Sequence, residues 1–357
     1  MATVIPALLT RAETGEIEAL AELDANGLPA GPNEALPEYL ERLRGLQARL
    51  LEAEEALETT GVYRCAGLRL RRARRVSAET LRQCTGATLE LYKFQIDWVP
   101  AFYINPSFSW LFGGCAYYSH PDTFALMIIR RSFARRRKWF IYDRNEILAH
   151  EMCHVARLAL GSSAYEERIA YRVSESAFRR RFGGVFESPR DSFSLLGSTL
   201  LLLGAQLARM FLIPALPIWP FWFLVGGVVA FLLGRDRQRH RVMRQAEENL
   251  VRLLTVDDAA ESKVGEPRLE VERSGVLADA NGGEGETAAA TESDGTGEGR
   301  HDAKLEAIDA VAILFRCTDR EIATIAGLSN PRELQAWLTA REKKELRWQV
   351  TTHRFLR

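Results

Sequence analysis

The 357-residue chain lacks the sequence features of secreted, disulfide-stabilised proteins. Its five cysteines are scattered and no pair has CxxC spacing, which argues against a disulfide framework or a zinc ribbon and favours reduced, cytosolic thiols. Residues 1–10 have neither a basic segment nor a long apolar core, so we expect no signal peptide. No internal repeat is evident. The formal net charge is zero, although charge is unevenly distributed along the chain.

Histidine is scarce, yet two of the six histidines stand in one HExxH motif at residues 150–154. The residues on both sides favour a helix, on which His150 and His154 would face the same side and could bind one metal ion. Glu151 lies where it could take a proton from a metal-bound water. A chance match is expected in roughly one such sequence in a hundred. The alternative is a buried helix with two hydrogen-bonded histidines.

A second acidic motif follows this helix after a short turn. Gly161 is a good helix terminator, and the segment from Ser163 to Glu166 has capping-box spacing. We therefore expect Glu166 to cap its own helix and Glu167 to point elsewhere. HExxH followed by ERIA at residues 167–170 resembles the gluzincins, the zinc metallopeptidases of the zincin group whose third ligand is a glutamate.

The resemblance covers about residues 88–182 and implies a catalytic zinc ion held by His150, His154 and Glu167, with a fourth position open for water. Glu151 would then be the general base. It would assist the attack of a zinc-bound water on a peptide bond and pass the proton to the leaving amine.

Two parts of this expected site have alternatives. The interval between the second histidine and ERIA is shorter than in thermolysin-like enzymes, so Glu175 and, less favourably, Glu166 remain alternative third ligands. A donor to the developing oxyanion is not identified with the same clarity. His120, Tyr118 and Tyr142 are candidates, but an ordinary core or loop role is favoured for each of them.

Strand-like segments precede the motif. Residues 88–96, 98–104, 123–130 and 139–142 are rich in aromatic and branched side chains. A small sheet leading directly into the metal-binding helix resembles the zincin plan, in which an edge strand lines the cleft and pairs with an extended substrate. Further upstream, residues 34–59 have the leucine stripe of an amphipathic helix packed on a core.

Two long apolar segments follow the motif, at residues 192–213 and 216–234. They are long enough to cross a bilayer, and their short connection predicts a transmembrane hairpin with both ends on one side. Arginines flank the hairpin at residues 179–190 and 235–244, whereas the connection has none. The positive-inside rule therefore predicts an integral membrane protein of the cytoplasmic membrane of a bacterium, with its catalytic domain and both termini in the cytoplasm. A buried soluble hairpin is the alternative.

The chain changes character again after the hairpin. We expect a basic juxtamembrane helix at 235–255, a disordered acidic linker at 256–302 and a small helical C-terminal module at 303–357. Residues 321–329 resemble the first half of a helix-turn-helix, but the later helix has no clear recognition face. The module is therefore expected to bind a protein partner rather than nucleic acid.

Together these features predict an α+β fold with an N-terminal helical region at 1–60, a small zincin-like catalytic domain at 61–190, a two-helix transmembrane hairpin at 192–234 and helical flanking regions. The predicted function is a membrane-anchored zinc metallopeptidase that hydrolyses proteins or peptides at the cytoplasmic face. Two other classes are a catalytically inactive zincin-fold scaffold or regulator acting through its C-terminal module, and a membrane-tethered DNA-binding regulator. The intact HExxH motif favours the enzyme, because a scaffold has no need of the glutamate.

Overall fold

The structure, a computed structural model, describes residues 4–65, 67–105, 113–119, 124–140, 142–264 and 307–356. Within these ranges helices predominate, and small sheets complete an α+β fold. The helices are α1 Val4–Glu13, α2 Ile17–Ala25, α3 Leu36–Thr59, α4 Ala78–Cys84, α5 Gly86–Tyr92, α6 Arg144–Arg157, α7 Glu166–Tyr171, α8 Ala177–Phe182, α9 Pro189–Phe211, α10 Trp219–Val264, α11 307–315, α12 Asp319–Gly327, α13 Pro331–Glu342 and α14 Leu346–Phe355. The strands are β1 Val62–Cys65, β2 Leu68–Arg71, β3 Ala101–Ile104, β4 Gly114–Ser119, β5 Phe124–Arg130, β6 Lys138–Trp139 and β7 Tyr142–Asp143.

The largest sheet has three strands in the order β3-β5-β4. β3 runs parallel to β5, and β4 runs antiparallel to it, with Gly114 opposite Ile129 and Ser119 opposite Phe124. The central strand β5 is apolar and buried along nearly its whole length, as a strand covered on both faces must be. Helix α6 packs against β4 and β5, so the HExxH motif lies beside the edge strand β4.

The strand predicted at residues 88–96 is wrong. This segment forms helix α5 as far as Tyr92. Thr88 and Tyr92, one turn apart, are buried while Glu90 is exposed, which is a helical pattern and not an alternating one. Lys93 ends the helix in the left-handed conformation, with φ of 56°.

The other strand predictions have mixed outcomes. The strand predicted at 123–130 is confirmed by β5, although residue 123 lies outside the described residues. Residues 98–104 form a strand only from Ala101 onward. The strand predicted at 139–142 is instead divided between β6 and β7, which pair antiparallel with Trp139 opposite Tyr142, and Phe140 has a φ of 52°. The sequence analysis identified neither β4 nor the arginine-rich hairpin of β1 and β2.

The C-terminal helices α11–α14 share one hydrophobic core with α1–α3 and the sheet. The ring of Phe315 stacks on Tyr92 and Phe94, with centroid distances of 4.4 and 4.8 Å. Arg316 donates to Asp24 at 2.6 Å, and both side chains are buried. The predicted C-terminal module is therefore packed on the body that carries the HExxH helix.

Helices α9 and α10 form the apolar hairpin, connected by residues 212–218. α10 runs for 46 residues without a break, so the basic helix predicted at 235–255 is the second half of the same helix. It continues to Val264, into the segment predicted as a disordered linker, and residues 265–302 lie outside the described part of the chain. Only 17% and 11% of the most apolar windows of α9 and α10 are buried. Both helices are long and apolar enough to cross a membrane, and these apolar windows are mostly exposed in the described structure.

Candidate metal centre

Helix α6, which carries the HExxH motif, is capped at both ends. Asp143 is its N-cap and accepts a hydrogen bond from the backbone N–H of Asn145 at 2.9 Å. The helix ends in a 3-10 turn at residues 158–160, followed by Gly161 with φ of 59°, a conformation that favours glycine. This ending turns the chain back, so that α7 packs against α6 after a short connection.

His150, His154 and Glu167 converge on one point. The Nε2 atoms of the two histidines lie 3.1 Å apart. Glu167 Oε2 lies 3.5 Å from His150 Nε2, and Glu167 Oε1 lies 3.5 Å from His154 Nε2. One donor atom from each side chain can be chosen so that all three lie within 4.8 Å of one another. The tight turn between α6 and α7 therefore brings together the three residues that the sequence analysis selected.

The donor set and its spacing fit a zinc ion. Two ligand atoms bound at about 2.0–2.2 Å in tetrahedral geometry lie about 3.3–3.6 Å apart. The two imidazole nitrogens are 3.1 Å apart, and each lies 3.5 Å from the nearer of the two Glu167 oxygens, so a small movement of the carboxylate would give one oxygen this spacing to both. Zinc accepts both kinds of ligand, and three protein ligands leave one position open for water or substrate.

Glu166 has a different role from the predicted one. Helix α7 begins at Glu166 with Tyr165 as N-cap and no side-chain cap, so the predicted capping box is wrong. The backbone N–H groups at this end are satisfied by Asp319 instead. Glu166 Oε1 lies 2.9 Å from His154 Nδ1. Donation from Nδ1–H to this carboxylate leaves Nε2 unprotonated and directed at Glu167, as a metal ligand must be.

The carboxylates around the histidines make the site attractive to positive charge. Burial opposes charge on His154, yet its hydrogen bond to Glu166 and the charges of Glu151 and Glu167 raise its pKa to about 9. Burial likewise opposes charge on Glu167, but its interactions with His150 and His154 hold the pKa of this carboxyl below its usual value. A divalent cation bound here would take the place of the proton on the imidazole.

Glu175, the rival third ligand, lies apart from this cluster. Its side chain is 77% exposed, and its carboxylate is 3.6 Å from the Arg137 guanidinium. Among the three glutamates considered from the sequence, the geometry favours Glu167 as the ligand and Glu166 as the partner that orients His154.

Glu151 lies between the histidine pair and the edge of the sheet. Its side chain is buried, and its Oε2 accepts a hydrogen bond from the Ala116 backbone N–H at 2.6 Å. Hydrogen-bonded and outward-facing residues alternate along an antiparallel strand. Because the Gly113 carbonyl accepts from β5, the polar backbone groups of Gly114, Ala116 and Tyr118 face away from β5. This edge of β4, which pairs with no other strand in the described part of the chain, therefore faces the HExxH glutamate.

Two glycines allow α6 to lie this close to β4. A Cβ atom on Gly114 would lie 2.6 Å from Ile147 Cγ2, and one on Gly113 would lie 3.0 Å from Ile147 Cδ1. A larger residue at Gly114 would force the helix and the strand apart. The pair of glycines thus sets the short distance between Glu151 and the strand.

A cleft of about 170 Å³ opens beside Glu151 and exposes two side chains that the sequence analysis missed. The ring of Tyr171 lies against His150, with a centroid distance of 4.4 Å. Burial, and next the Glu167 charge, raise the pKa of Tyr171 to about 12, so its hydroxyl keeps its proton and can donate. Arg179 lines the cleft and pairs with Glu146 at 3.0 Å. In the sequence, Tyr171 could have been recognised as a site residue because it stands one helical turn after Glu167 and so faces the same side of the helix.

The three candidates for an oxyanion donor are placed differently. Tyr142 lines the cleft. Tyr118 is half-exposed on β4, and His120 lies outside the described residues. Tyr142 and Tyr171 are therefore the tyrosines in the described structure that line the cleft itself.

The turn between the two metal-binding helices is held from two distant parts of the chain. Asp319, at the start of α12, accepts hydrogen bonds from the N–H groups of Ser163, Ala164 and Tyr165 at 3.0, 2.8 and 3.3 Å. From α10, Arg239 donates to the Ala164 carbonyl at 2.6 Å. The position of α7, and with it Glu167, depends on these contacts.

The last residue of α6 provides a further link to the C-terminal region. Arg157 is fully buried and donates to the backbone carbonyls of Phe315 and Cys317, the latter at 3.1 Å. Both ends of the metal-binding connection, the end of α6 and the start of α7, are thus bonded to residues 315–319.

Comparison of the whole chain with protein families, curated proteins and solved structures gives no match. The functional argument therefore depends on the residues of this chain and their geometry.

Proposed function

We propose that the protein is a membrane-anchored, zinc-dependent metallopeptidase that hydrolyses peptide bonds in proteins or peptides at the cytoplasmic face of the membrane. The observation that carries the proposal is the convergence of His150, His154 and Glu167 next to Glu151 and the free edge of β4. A helix that merely buries two histidines needs neither the third donor nor an exposed strand edge beside it.

The three ligands would come from two helices that close contacts hold together. His150 and His154 are the ligands on α6 and Glu167 is the ligand on α7, while Glu166 keeps the His154 ring in the ligand tautomer. When bound, zinc supplies Lewis-acid polarisation of the scissile carbonyl and lowers the pKa of a coordinated water.

Glu151 is the proposed general base. In the hydrolysis, the hydroxyl of water adds to the carbonyl carbon, the C–N bond breaks, and the two protons end on the new amine and carboxyl groups. Glu151 takes a proton from the water and gives it to the departing nitrogen, acting first as base and then as acid. The hydrogen bond from the Ala116 N–H holds Glu151 Oε2 in place and leaves Oε1 for this transfer.

The edge of β4 that faces away from β5 suits an extended peptide. The Ala116 N–H is occupied by Glu151, but the Ala116 carbonyl and the outward backbone groups of Gly114 face the same side. A substrate strand beside them would form main-chain hydrogen bonds, which bind a peptide without regard to its side chains. Tyr171 and Tyr142 in the cleft are the proposed donors to the developing oxyanion.

Membrane anchoring is supported by the exposure of the hairpin. Large apolar side chains on α9 and on the first half of α10 are exposed, including Leu200, Leu203, Leu207, Phe223 and Phe231. Arginines flank both ends of the hairpin near the metal centre, and none stands in residues 212–218. The positive-inside rule then places the metal centre and both termini in the cytoplasm.

The proposal is tested with the full-length protein in lipid nanodiscs and a library of unstructured peptides, with cleavage followed by mass spectrometry. Glu151→Gln should keep its zinc and lose cleavage by about 10²–10⁴-fold, the usual contribution of a general base. Glu175→Gln is the matched control and should cleave like the wild type. Equal cleavage by the wild type and Glu151→Gln would refute the mechanism. A wild-type protein that binds no zinc and cleaves nothing would favour the scaffold function instead.

A further inference from the structure

Three phenylalanines are exposed on α8 and the turn that follows it. The exposed fractions of Phe178, Phe182 and Phe186 are 71%, 42% and 41%. The rings of Phe178 and Phe182 lie one turn apart, with centroids 5.0 Å from each other. Arginines 179–181 stand between them in the sequence. An exposed aromatic patch of this kind needs an occupant, and aromatic rings mixed with arginines are typical of the membrane–water interface.

What covers these phenylalanines is indicated by the contacts between their segment and the end of the hairpin nearest the metal centre. Arg235, the first residue after the apolar part of α10, donates to the Val185 carbonyl at 3.2 Å. It also donates to Asp191 at the start of α9 at 2.7 Å, and Asp191 accepts from the Glu187 N–H at 2.9 Å. The segment that carries Phe186 is therefore fixed at the level where the apolar part of the hairpin ends. The head-group layer of a bilayer extends about 5–7 Å beyond that level.

A neighbouring side of the same segment forms part of the cleft wall. A Cβ atom on Gly183 would lie 2.3 Å from the Tyr171 ring, so the turn after α8 packs directly on α7. Arg179, next to Phe178 in the sequence, lines the cleft. A helix is about 10–12 Å across, the head-group layer adds about 5–7 Å, and an extended peptide rises about 3.3 Å per residue. The cleft is therefore about three to six residues of extended chain from the lipid surface.

We propose that Phe178, Phe182 and Phe186 lie in the lipid interface, and that the substrate is therefore the membrane-proximal cytoplasmic segment of an integral membrane protein. The peptide bond that is cut would lie about three to six residues from the lipid surface. The membrane contact of α8 stands independently, whereas the substrate class rests on the proposed peptidase function.

The membrane contact is tested by spin labels on the full-length protein in nanodiscs that contain anionic lipid. Cysteines placed singly at residues 178, 182 and 186, after serine replaces the half-exposed Cys65 and Cys115, would carry nitroxides. Collision rates with oxygen and with a water-soluble nickel chelate report depth. References are Leu200→Cys on α9 and Leu51→Cys on α3, both exposed in the structure.

Labels at the three positions should meet oxygen more often and nickel less often than the label at Leu51, with values between those at Leu51 and those at Leu200 in the bilayer interior. Values equal to those at Leu51 would overturn the proposal. Low collision rates with both reagents would also overturn it, because they indicate a protein partner or a second copy covering the patch. None of these outcomes depends on zinc or on cleavage, so the result is separate from that of the proposed function.

The substrate class is tested with the triple serine variant of the phenylalanines. Cleavage of a soluble peptide should be unchanged, while cleavage of a single-span reporter in the same bilayer should fall at least about tenfold, since the burial of one phenylalanine already corresponds to more than a tenfold change in partition. Reporters with cleavable sequences at increasing distance from the membrane should be cut best at three to six residues. Equal losses on both substrates, or no loss on either, would contradict the inference.

Discussion

Replacing Asp319 by alanine removes the carboxylate that holds the turn between the two metal-binding helices. In the wild type this carboxylate accepts from the N–H groups of Ser163, Ala164 and Tyr165. Alanine leaves these groups to water, and α7 then loses a fixed starting point. Because Glu167 stands on the first turn of α7, the substitution should act on metal binding from a residue that does not contact the metal.

The magnitude follows from the hydrogen bonds lost. A hydrogen bond to a charged acceptor contributes about 1.5–3 kcal/mol, but three bonds share one carboxylate here and the Ser163 bond is exposed. We therefore expect the ordered conformation of the turn to lose about 2–4 kcal/mol of stabilisation. Mutation of residues that position metal ligands without binding the metal usually weakens metal affinity about 10–100-fold. We therefore expect the zinc Kd of Asp319→Ala to rise by about 10–100-fold.

The assay is a zinc competition titration of full-length protein against a chromophoric chelator at fixed pH, paired with thermal unfolding. Asp319→Asn keeps one acceptor oxygen and should give an intermediate Kd. Asn330→Ala is the matched control, because Asn330 caps α13 in the same C-terminal region by accepting from the Arg332 N–H at 3.0 Å. Its loss should cost about 1 kcal/mol of stability and leave the zinc Kd unchanged. If Asp319→Ala loses stability as Asn330→Ala does and binds zinc like the wild type, the reasoning is refuted.

Three further predictions follow from single contacts. Glu166→Gln should weaken zinc binding about tenfold or more in the same titration, because the amide no longer stabilises the ligand form of His154 as a carboxylate does; an unchanged Kd would contradict this role. Gly114→Ala should lower the free energy of unfolding by about 1–3 kcal/mol in a denaturant titration and reduce cleavage, whereas Gly86→Ala, with open space around it, should do neither. Arg347 keeps the pKa of buried Glu321 below its usual value although burial opposes the charge. This pair should stabilise the fold fully above about pH 4.3 and progressively less as the pH falls through the folded pKa of Glu321. In Glu321→Gln the free energy of unfolding should depend less on pH over this range. The same pH dependence in the variant and the wild type would contradict the prediction.

The chemistry of the candidate site was predictable from the sequence because its signal is local. HExxH depends on one helical repeat, so the spacing of His150 and His154 already places both on one face. Glu167 was selected because the ERIA stretch at residues 167–170 resembles the gluzincin motif. The leucine stripe of α3 and the apolar lengths of α9 and α10 are likewise properties of short windows.

The errors arise where a distant residue decides a local structure. The Ser163–Glu166 segment has capping-box spacing, but the carboxylate of Asp319, more than 150 positions later, takes the N–H groups and frees Glu166 for His154. The edge strand β4 has the sequence GCAYYS, with no clear alternation, and becomes a strand because β5 pairs with it. Helix α5 was taken for a strand because its aromatic and branched residues fit both structures until burial is known.

The central claim is that His150, His154 and Glu167 form one zinc site, and the most direct test is the zinc content of the purified full-length protein. The account predicts about one zinc per chain in the wild type and in Glu151→Gln, less than a tenth of that in His150→Ala, and a clear loss in Glu167→Ala. Glu175→Ala should keep its zinc. A wild-type protein that stays free of zinc when zinc is offered, or a bound zinc that survives in His150→Ala, would contradict the account.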